Sequence, residues 1–289
     1  MTRRSLAAAG ALLLVTLTGC TTTAPEPGGT TSASSPTTSP SDSPSPTASS
    51  TAAEILVPVY YATDTGTDLR LVREFRRLPD EGGAALTAAR AVLAGAPLDP
   101  DYSGLWAPEG QVLAVDALDG VIEVDLTEAA TRTTTGSAGA NLAVQALVYA
   151  VTGALASDDP VRLLVEGEPV DELFGVLDTR APIAREDPLS TRLLVQINDP
   201  NEGDVLDGEV TVTGEAAVYE ATLPWEVRTS DGAVVQSGVT MTAEGQTFAP
   251  FSLTLTLEPG EYVVVITEDD PSGGEGRPPT SDSRAFSVR

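Results

Sequence analysis

The chain of 289 residues contains no histidine and no lysine, and its 16 basic residues are all arginine. These two absences together remove Ser-His-Asp and Cys-His nucleophilic catalysis, Schiff-base chemistry, Walker-type phosphate loops and histidine-ligated zinc. Cysteine is nearly absent as well. Cys20 stands alone, so no disulfide forms within the chain and the fold must rest on its apolar core. A chain with room for two domains of ordinary size can manage that without covalent staples. Positive charge is scarce overall. Against 42 acidic residues the formal charge is -26, which repels nucleic acid and anionic lipid headgroups, so no nucleic-acid partner is expected.

What is present begins with an export signal. Arg3 and Arg4 precede an apolar run from Leu6 to Leu17, which leads into Leu17-Thr18-Gly19-Cys20. The run is about a dozen residues, short of the roughly twenty that a membrane-crossing helix needs, so it reads as a processed signal. The stretch resembles the lipobox of bacterial lipoproteins, and this resemblance makes Cys20 the expected lipidation site. A diacylglyceryl thioether supplies two acyl chains, each buried CH2 adding about 0.8 kcal/mol, which is enough for stable anchoring. The alternative, an ordinary signal with a chance cysteine, fits less well because the cysteine falls where cleavage would otherwise occur. The expectation is a signal peptide at residues 1–19 and a cell-membrane anchor at Cys20 on the extracytoplasmic face.

Apart from Cys20, Glu26 and Asp42, residues 20–53 are Thr, Ser, Pro, Ala and Gly with almost no large apolar side chain. Such a segment cannot bury enough surface to offset chain entropy and reads as a disordered tether, spanning about 30 Å if flexible. Residues 54–187 mix both periodicities. Ile55 to Tyr61 and Leu69 to Leu78 read as a hairpin, Ala84 to Ala94 as a helix with Leu86, Ala89 and Leu93 on one side. Gln111 to Ala117 and Val121 to Leu126 form a second hairpin about Asp119-Gly120, Ala140 to Leu155 a second helix, and Val161 to Val165 a strand. The order implies an α+β domain, a mainly antiparallel sheet with helices on one face. From 191 to 289 the helical period disappears. Seven short strands, Trp225 in the third and Tyr262 after Glu258-Pro259-Gly260-Glu261, imply an all-β immunoglobulin-like sandwich with a tyrosine corner.

Several of these residues carry a family resemblance. Val57-Pro58-Val59-Tyr60-Tyr61, Leu93-Ala94-Gly95, Pro108-Glu109-Gly110, Asp119-Gly120-Val121-Ile122-Glu123-Val124-Asp125-Leu126 and Leu147-Val148-Tyr149 resemble a GerMN domain. Asn198-Asp199-Pro200, Val212-Thr213-Gly214-Glu215-Ala216, Tyr219-Glu220-Ala221 and Asp231-Gly232 are similar to the immunoglobulin-like module of bacterial spore-germination proteins. The resemblance implies a cell-envelope protein with an assembly-type module, binding or scaffolding envelope proteins. It supplies no catalytic residue and no cofactor.

Without histidine, a carboxylate pair about 5 to 9 Å apart is the remaining route to hydrolysis, for instance of wall glycan. Asp64, Asp68, Asp116, Asp125 and Glu166 are available, with Asp125 inside an apolar run. Among 42 acids chance proximity is common, and the preferred reading of Asp125 is a strand-edge acceptor of backbone hydrogen bonds. Asp199, Asn201, Glu202, Asp204 and Asp207, and separately Asp269, Asp270 and Glu275, offer oxygen atoms that suit calcium, but neither group has EF-hand spacing, so solvated loop acids and no metal are expected. Trp106 could stack on a sugar or insert into a partner, although folding back on its own core is favoured. Peptidoglycan is thus the alternative partner, bound as glycan or cleaved by carboxylates, beside the expected protein partners.

Overall fold

The computed structural model describes residues 53–132, 135–270, 272 and 275–289. The signal segment, Cys20 and all of the tether except Ala53 lie outside these residues. The described chain belongs to one compact unit.

The first part opens with the long hairpin of β1 (Glu54–Asp64) and β2 (Leu69–Pro79), paired antiparallel from Glu54 opposite Pro79 to Asp64 opposite Leu69. The Asp64 carboxylate accepts from the Gly66 amide at 2.8 Å and fixes the turn. Val57 to Ala62 are buried without alternation, as in a strand covered on both faces. Helix α1 (Ala84–Ala94) packs near β1 through the small side chains Ala85, Ala88 and Ala89 together with Val92 and Leu93. Leu86, which the spacing sets on one side with Ala89 and Leu93, is half buried and packs against the same core. The helix stops at left-handed Gly95, φ 59°, whose amide returns to Ala91 and Val92.

Strands β3 (Val112–Leu118) and β4 (Val121–Leu126) meet at Asp119 and Gly120, both at positive φ (50° and 79°), the conformation that a two-residue hairpin turn demands. Helix α2 (Ser137–Leu155) then carries the chain to β5 (Val161–Val165), which lies parallel to β4. With β6 (Glu168–Pro169) these strands form a sheet ordered β3-β4-β5-β6 in which only the crossover pair is parallel. Helix α2 begins at Ser137, three residues before the predicted start, since its first turn lacks the apolar residues that periodicity detects. From Ala140 to Thr152 every residue except Asn141 is buried, so this is a central helix enclosed by protein, although its length and composition would also suit a membrane span. Trp106 folds onto it, its indole N–H donating to the Ala143 carbonyl at 3.0 Å and its ring 5.2 Å from Phe174. The small hairpin of β7 (Glu172–Leu173) and β8 (Leu177–Asp178) and the turn-length helix α3 (Pro188–Thr191), capped by Asp187, end this part.

The second part is all strand. It comprises β9 (Val195–Asp199), β10 (Asp204–Leu206), β11 (Glu209–Ala216), β12 (Thr222–Thr229), β13 (Val234–Met241), β14 (Ala249–Thr256), β15 (Gly260–Thr267) and β16 (Ser281–Val288). They form two sheets, β14-β11-β9 and β10-β16-β15-β12-β13. Strand β10 is additional to the seven predicted; its three residues are too few to show alternation. Val212, Leu223, Val227, Phe251, Leu255, Val264, Ile266 and Phe286 fill the space between the sheets, with Trp225 partly buried beside them. The Tyr262 hydroxyl donates to the Glu258 carbonyl at 3.0 Å, the expected tyrosine corner. Buried apolar side chains separate into two clusters, one running from Val57 to Leu193 and the other from Val195 to Val288.

The corner generates a direct expectation. Tyr262→Phe keeps the ring against Phe286 and removes only the hydroxyl bond, so denaturant unfolding should show a loss of about 1 kcal/mol. An unchanged midpoint would mean that the corner does not hold the sandwich.

Candidate functional site

A buried group of ionisable side chains lies where the two parts meet. Its geometry starts in β2. Glu74, buried among apolar neighbours, accepts from the amides of Leu98 (2.9 Å) and Asp99 (3.0 Å) and pairs with Arg76 at 3.2 Å. Ala62 and Ser103 exchange two backbone hydrogen bonds of 2.9 and 2.8 Å, and the Tyr61 hydroxyl donates to the Ala96 carbonyl at 3.2 Å. The loop from Ala96 to Ser103 is therefore held to the hairpin at several points. It presents Asp99 and Tyr102 to the sandwich.

The sandwich answers with β16, where Asp282, Arg284, Phe286 and Val288 alternate on the inward face. Arg284 Nη1 donates to Asp99 Oδ2 (2.7 Å), Asp282 Oδ1 (2.9 Å) and Tyr102 Oη (2.7 Å), while Nη2 donates to the Ile197 carbonyl at 3.1 Å. Tyr102 in turn donates to Asp282 Oδ1 at 2.6 Å, and Asp282 Oδ2 accepts the Ile197 amide at 2.7 Å. Asp99, Tyr102, Asp282 and Arg284 are between 2 % and 7 % exposed. Burial works against the Arg284 charge, yet Asp282, Tyr102 and Asp99 outweigh it and hold the guanidinium more firmly protonated than usual. Burial also pushes Asp99 up to about 6, opposed by the Asp101 amide and Arg284 and reinforced by the charges of Asp282 and Glu202.

A second charged group bridges the same parts. Arg192 and Arg73 both pair with Glu215 on β11, the latter at 2.8 Å, and Arg73 also donates to Asn198 Oδ1 at 2.9 Å. Burial opposes ionisation of Glu215, but Arg192 and Arg73 outweigh it and keep the carboxyl below its ordinary range. The guanidinium of Arg73 lies 4.5 Å from the Phe75 ring and that of Arg192 4.2 Å from Phe248. The two parts are thus joined through fixed, desolvated charges.

Most of the acids singled out in the sequence lie outside this cluster, and several accept backbone amides or pair with arginine. Asp125 accepts from the Gly167 amide at 2.9 Å, Glu166 from the Glu128 amide at 3.1 Å, and Asp116 is exposed on β3. Asp68 pairs with Arg70 at 2.7 Å. Glu202 accepts from Ala285 and Asp204 from Asn201, each at the backbone amide, while Asp207 lies 3.5 Å from Arg289. Asp270 accepts from the Ser272 amide, Asp269 lines a shallow hollow with it, and Glu275 is exposed. Among the described residues no group of three or more acids could hold a metal ion. An open cleft of about 730 Å³ lies at the junction between Phe75, Arg77 and Asp199, and one of about 680 Å³ lies within the first part between Arg76, Arg90 and Val112. Sequence reading missed Asp282 and Arg284, although a strand carrying Asp, Arg, Phe and Val on one alternating face signals a buried ion pair.

Two outcomes follow from this geometry. Arg284→Met leaves Asp99 and Asp282 buried without their cation and should cost about 3 to 5 kcal/mol in denaturant unfolding. Asp99 binds its proton more tightly folded than unfolded, so its stabilising share is full below about pH 4 and is lost as pH rises through about 6. The unfolding free energy of the wild type relative to Asp99→Asn should therefore fall by about 2 kcal/mol across that window, and a flat difference would contradict the raised carboxyl.

Comparison with known proteins agrees with these two parts. Residues 58–171 match the family described as sporulation and spore germination, and residues 194–275 match the immunoglobulin-like domain of bacterial spore germination. No curated protein matches the chain. Among solved structures, the first GerMN domain of the sporulation protein GerM from Bacillus subtilis is 19% identical over 46% of this chain and 99% of its own, with a TM-score of 0.39. The tandem GerMN domains of the same protein are 14% identical over 70% of this chain and 61% of theirs, TM-score 0.40. CopC from Methylosinus trichosporium is 20% identical over 32% of this chain and 92% of its own, TM-score 0.26. The assignment rests on the two family matches, in the order that the fold shows. The chain is a GerMN-domain protein with a C-terminal immunoglobulin-like module of the bacterial spore-germination type.

Proposed function

We propose that this protein is a non-catalytic cell-envelope lipoprotein, anchored through lipidated Cys20 on the extracytoplasmic face, whose two modules bind and scaffold protein partners in the wall space. The observation that carries this reading is the buried charge cluster around Arg284 at the junction. Arg284, Asp99 and Asp282 are buried together between the modules, where their bonds favour one orientation. A fixed pair of modules suits recognition, because a surface composed from both is then already formed and little ordering entropy opposes binding. The absence of histidine and lysine, and the engagement of Asp125 and Glu166 with backbone amides, favour the same conclusion.

In this reading the lipid supplies location and the tether supplies reach. Crosslinking in intact cells should join the folded modules to envelope proteins, and Cys20→Ser should move the protein from the membrane fraction to the medium or leave it unprocessed. Zymography on purified wall provides the opposing outcome. Lysis by the wild type that disappears in Asp125→Asn would replace scaffolding with glycan cleavage.

A further inference from the structure

The sandwich has four sheet edges, and three of them are blunted. Strand β10 is three residues long. Strand β9 lies against the first module, where the Leu193 amide donates to the Leu71 carbonyl at 2.8 Å just before β9 begins. Strand β14 contains Pro250, and its Thr256 and Ser252 carbonyls accept from Gln236 Nε2 (2.8 Å) and Thr240 Oγ1 (3.2 Å) of β13. Short length, proline and cover are the usual means by which proteins keep edges from pairing. Strand β13 is neither short nor interrupted by proline; it meets β14 through the Gln236 and Thr240 side chains, and among the described residues its main chain pairs only with β12.

It ends the larger sheet, paired with β12 on one side and, among the described residues, with no strand on the other. Its eight residues, Val234 to Met241, include no charge and no proline. The bulge between Val227 and Arg228 disturbs only its start, and Gln236 to Met241 keep a regular register with Val227 to Thr222. On the outer face Val235 is 48 % exposed, Val239 64 % and Met241 62 %. Exposure of this kind on a long regular edge is what strand-adding recognition uses: main-chain bonds give affinity and alternate side chains give selectivity. Charge decides the class of occupant. Exposed Asp231 and Glu244 stand just beyond the two ends of β13, and Glu226 on β12 is already neutralised by Arg228 at 2.7 Å. Antiparallel pairing of β13 with a second copy would set Asp231 of each against Glu244 of the other, between bodies that each carry a charge of -26.

We propose that the free edge of β13 is a strand-addition site for an extended segment of another protein, uncharged and alternately apolar in its middle and carrying lysine or arginine at both ends. This rests on the partner-binding reading above and names the surface and the chemistry that serve it.

The test uses the purified full chain and a synthetic peptide of alternating valine and threonine closed by lysines at each end. A glutamate-ended peptide and one with a central proline serve as controls. Titration calorimetry at low salt should show binding of the lysine-ended peptide alone, with amide-exchange protection gained in β13. Val239→Lys, on an exposed outward position, should weaken it at least about tenfold, equivalent to ~1.4 kcal/mol, with unfolding unchanged. Val239→Thr should bind like the wild type. Protection gained elsewhere, equal binding of the glutamate-ended peptide, or indifference to Val239→Lys would overturn the proposal, as would self-association abolished by that variant. A photocrosslinker at Val239 in intact cells separates the two readings. If crosslinkers on other faces capture envelope proteins while Val239 stays unreacted, the β13 site falls and partner binding stands; if no face captures a protein, partner binding itself falls.

Discussion

A single buried guanidinium organises this molecule. Arg284 sits between two modules and must exchange its hydration for acceptors held by both, since an unpaired buried cation is too costly to keep. Asp99 and Tyr102 serve it from one side, Asp282 and the Ile197 carbonyl from the other. Hydrogen bonds to a planar guanidinium are directional, so the bonds are satisfied together only in a narrow range of module orientations. The net free energy of such a cluster is modest, because desolvation offsets most of the attraction. Its contribution is geometric. The loop from Ala96 to Ser103, itself fastened by Glu74 and Tyr61, becomes the part of the first module that aligns the second.

The Arg73, Arg192 and Glu215 group extends the same logic along the junction. Of the protein's few cations, several are enclosed there and are not displayed. The outer surface is left strongly acidic, with exposed apolar side chains scattered over it and four of them on edge strand β13. Charge scarcity and a rigid joint thus act together: the buried arginines define how the modules meet, and the unbalanced carboxylates outside bias the surface toward basic or neutral partners.

Much of the fold was legible because it is local. Asp119-Gly120 between two alternating runs, Gly95 ending α1, and Pro259 ahead of Tyr262 each place a turn or stop through backbone chemistry that a few residues dictate. Errors arose where locality fails. The buried stripe of α1 is largely small side chains, which hydrophobic patterning undervalues, so the spacing marks Leu86, Ala89 and Leu93 but not Ala85 and Ala88. The start of α2 lacks large apolar residues, and the parallel pairing of β4 with β5 depends on a crossover helix of nineteen residues and not on any turn. Sequence by itself determined the exclusions and the order of modules: which chemistries are missing, where strands and helices fall, and that Cys20 is the only thiol. Tertiary structure alone decided which acids matter. Asp99 and Asp282 are separated by 183 positions in the numbering and meet at one arginine, whereas Asp125 and Glu166 became backbone acceptors. An ionisable group acquires its role from what surrounds it, and those surroundings come from distant parts of the chain.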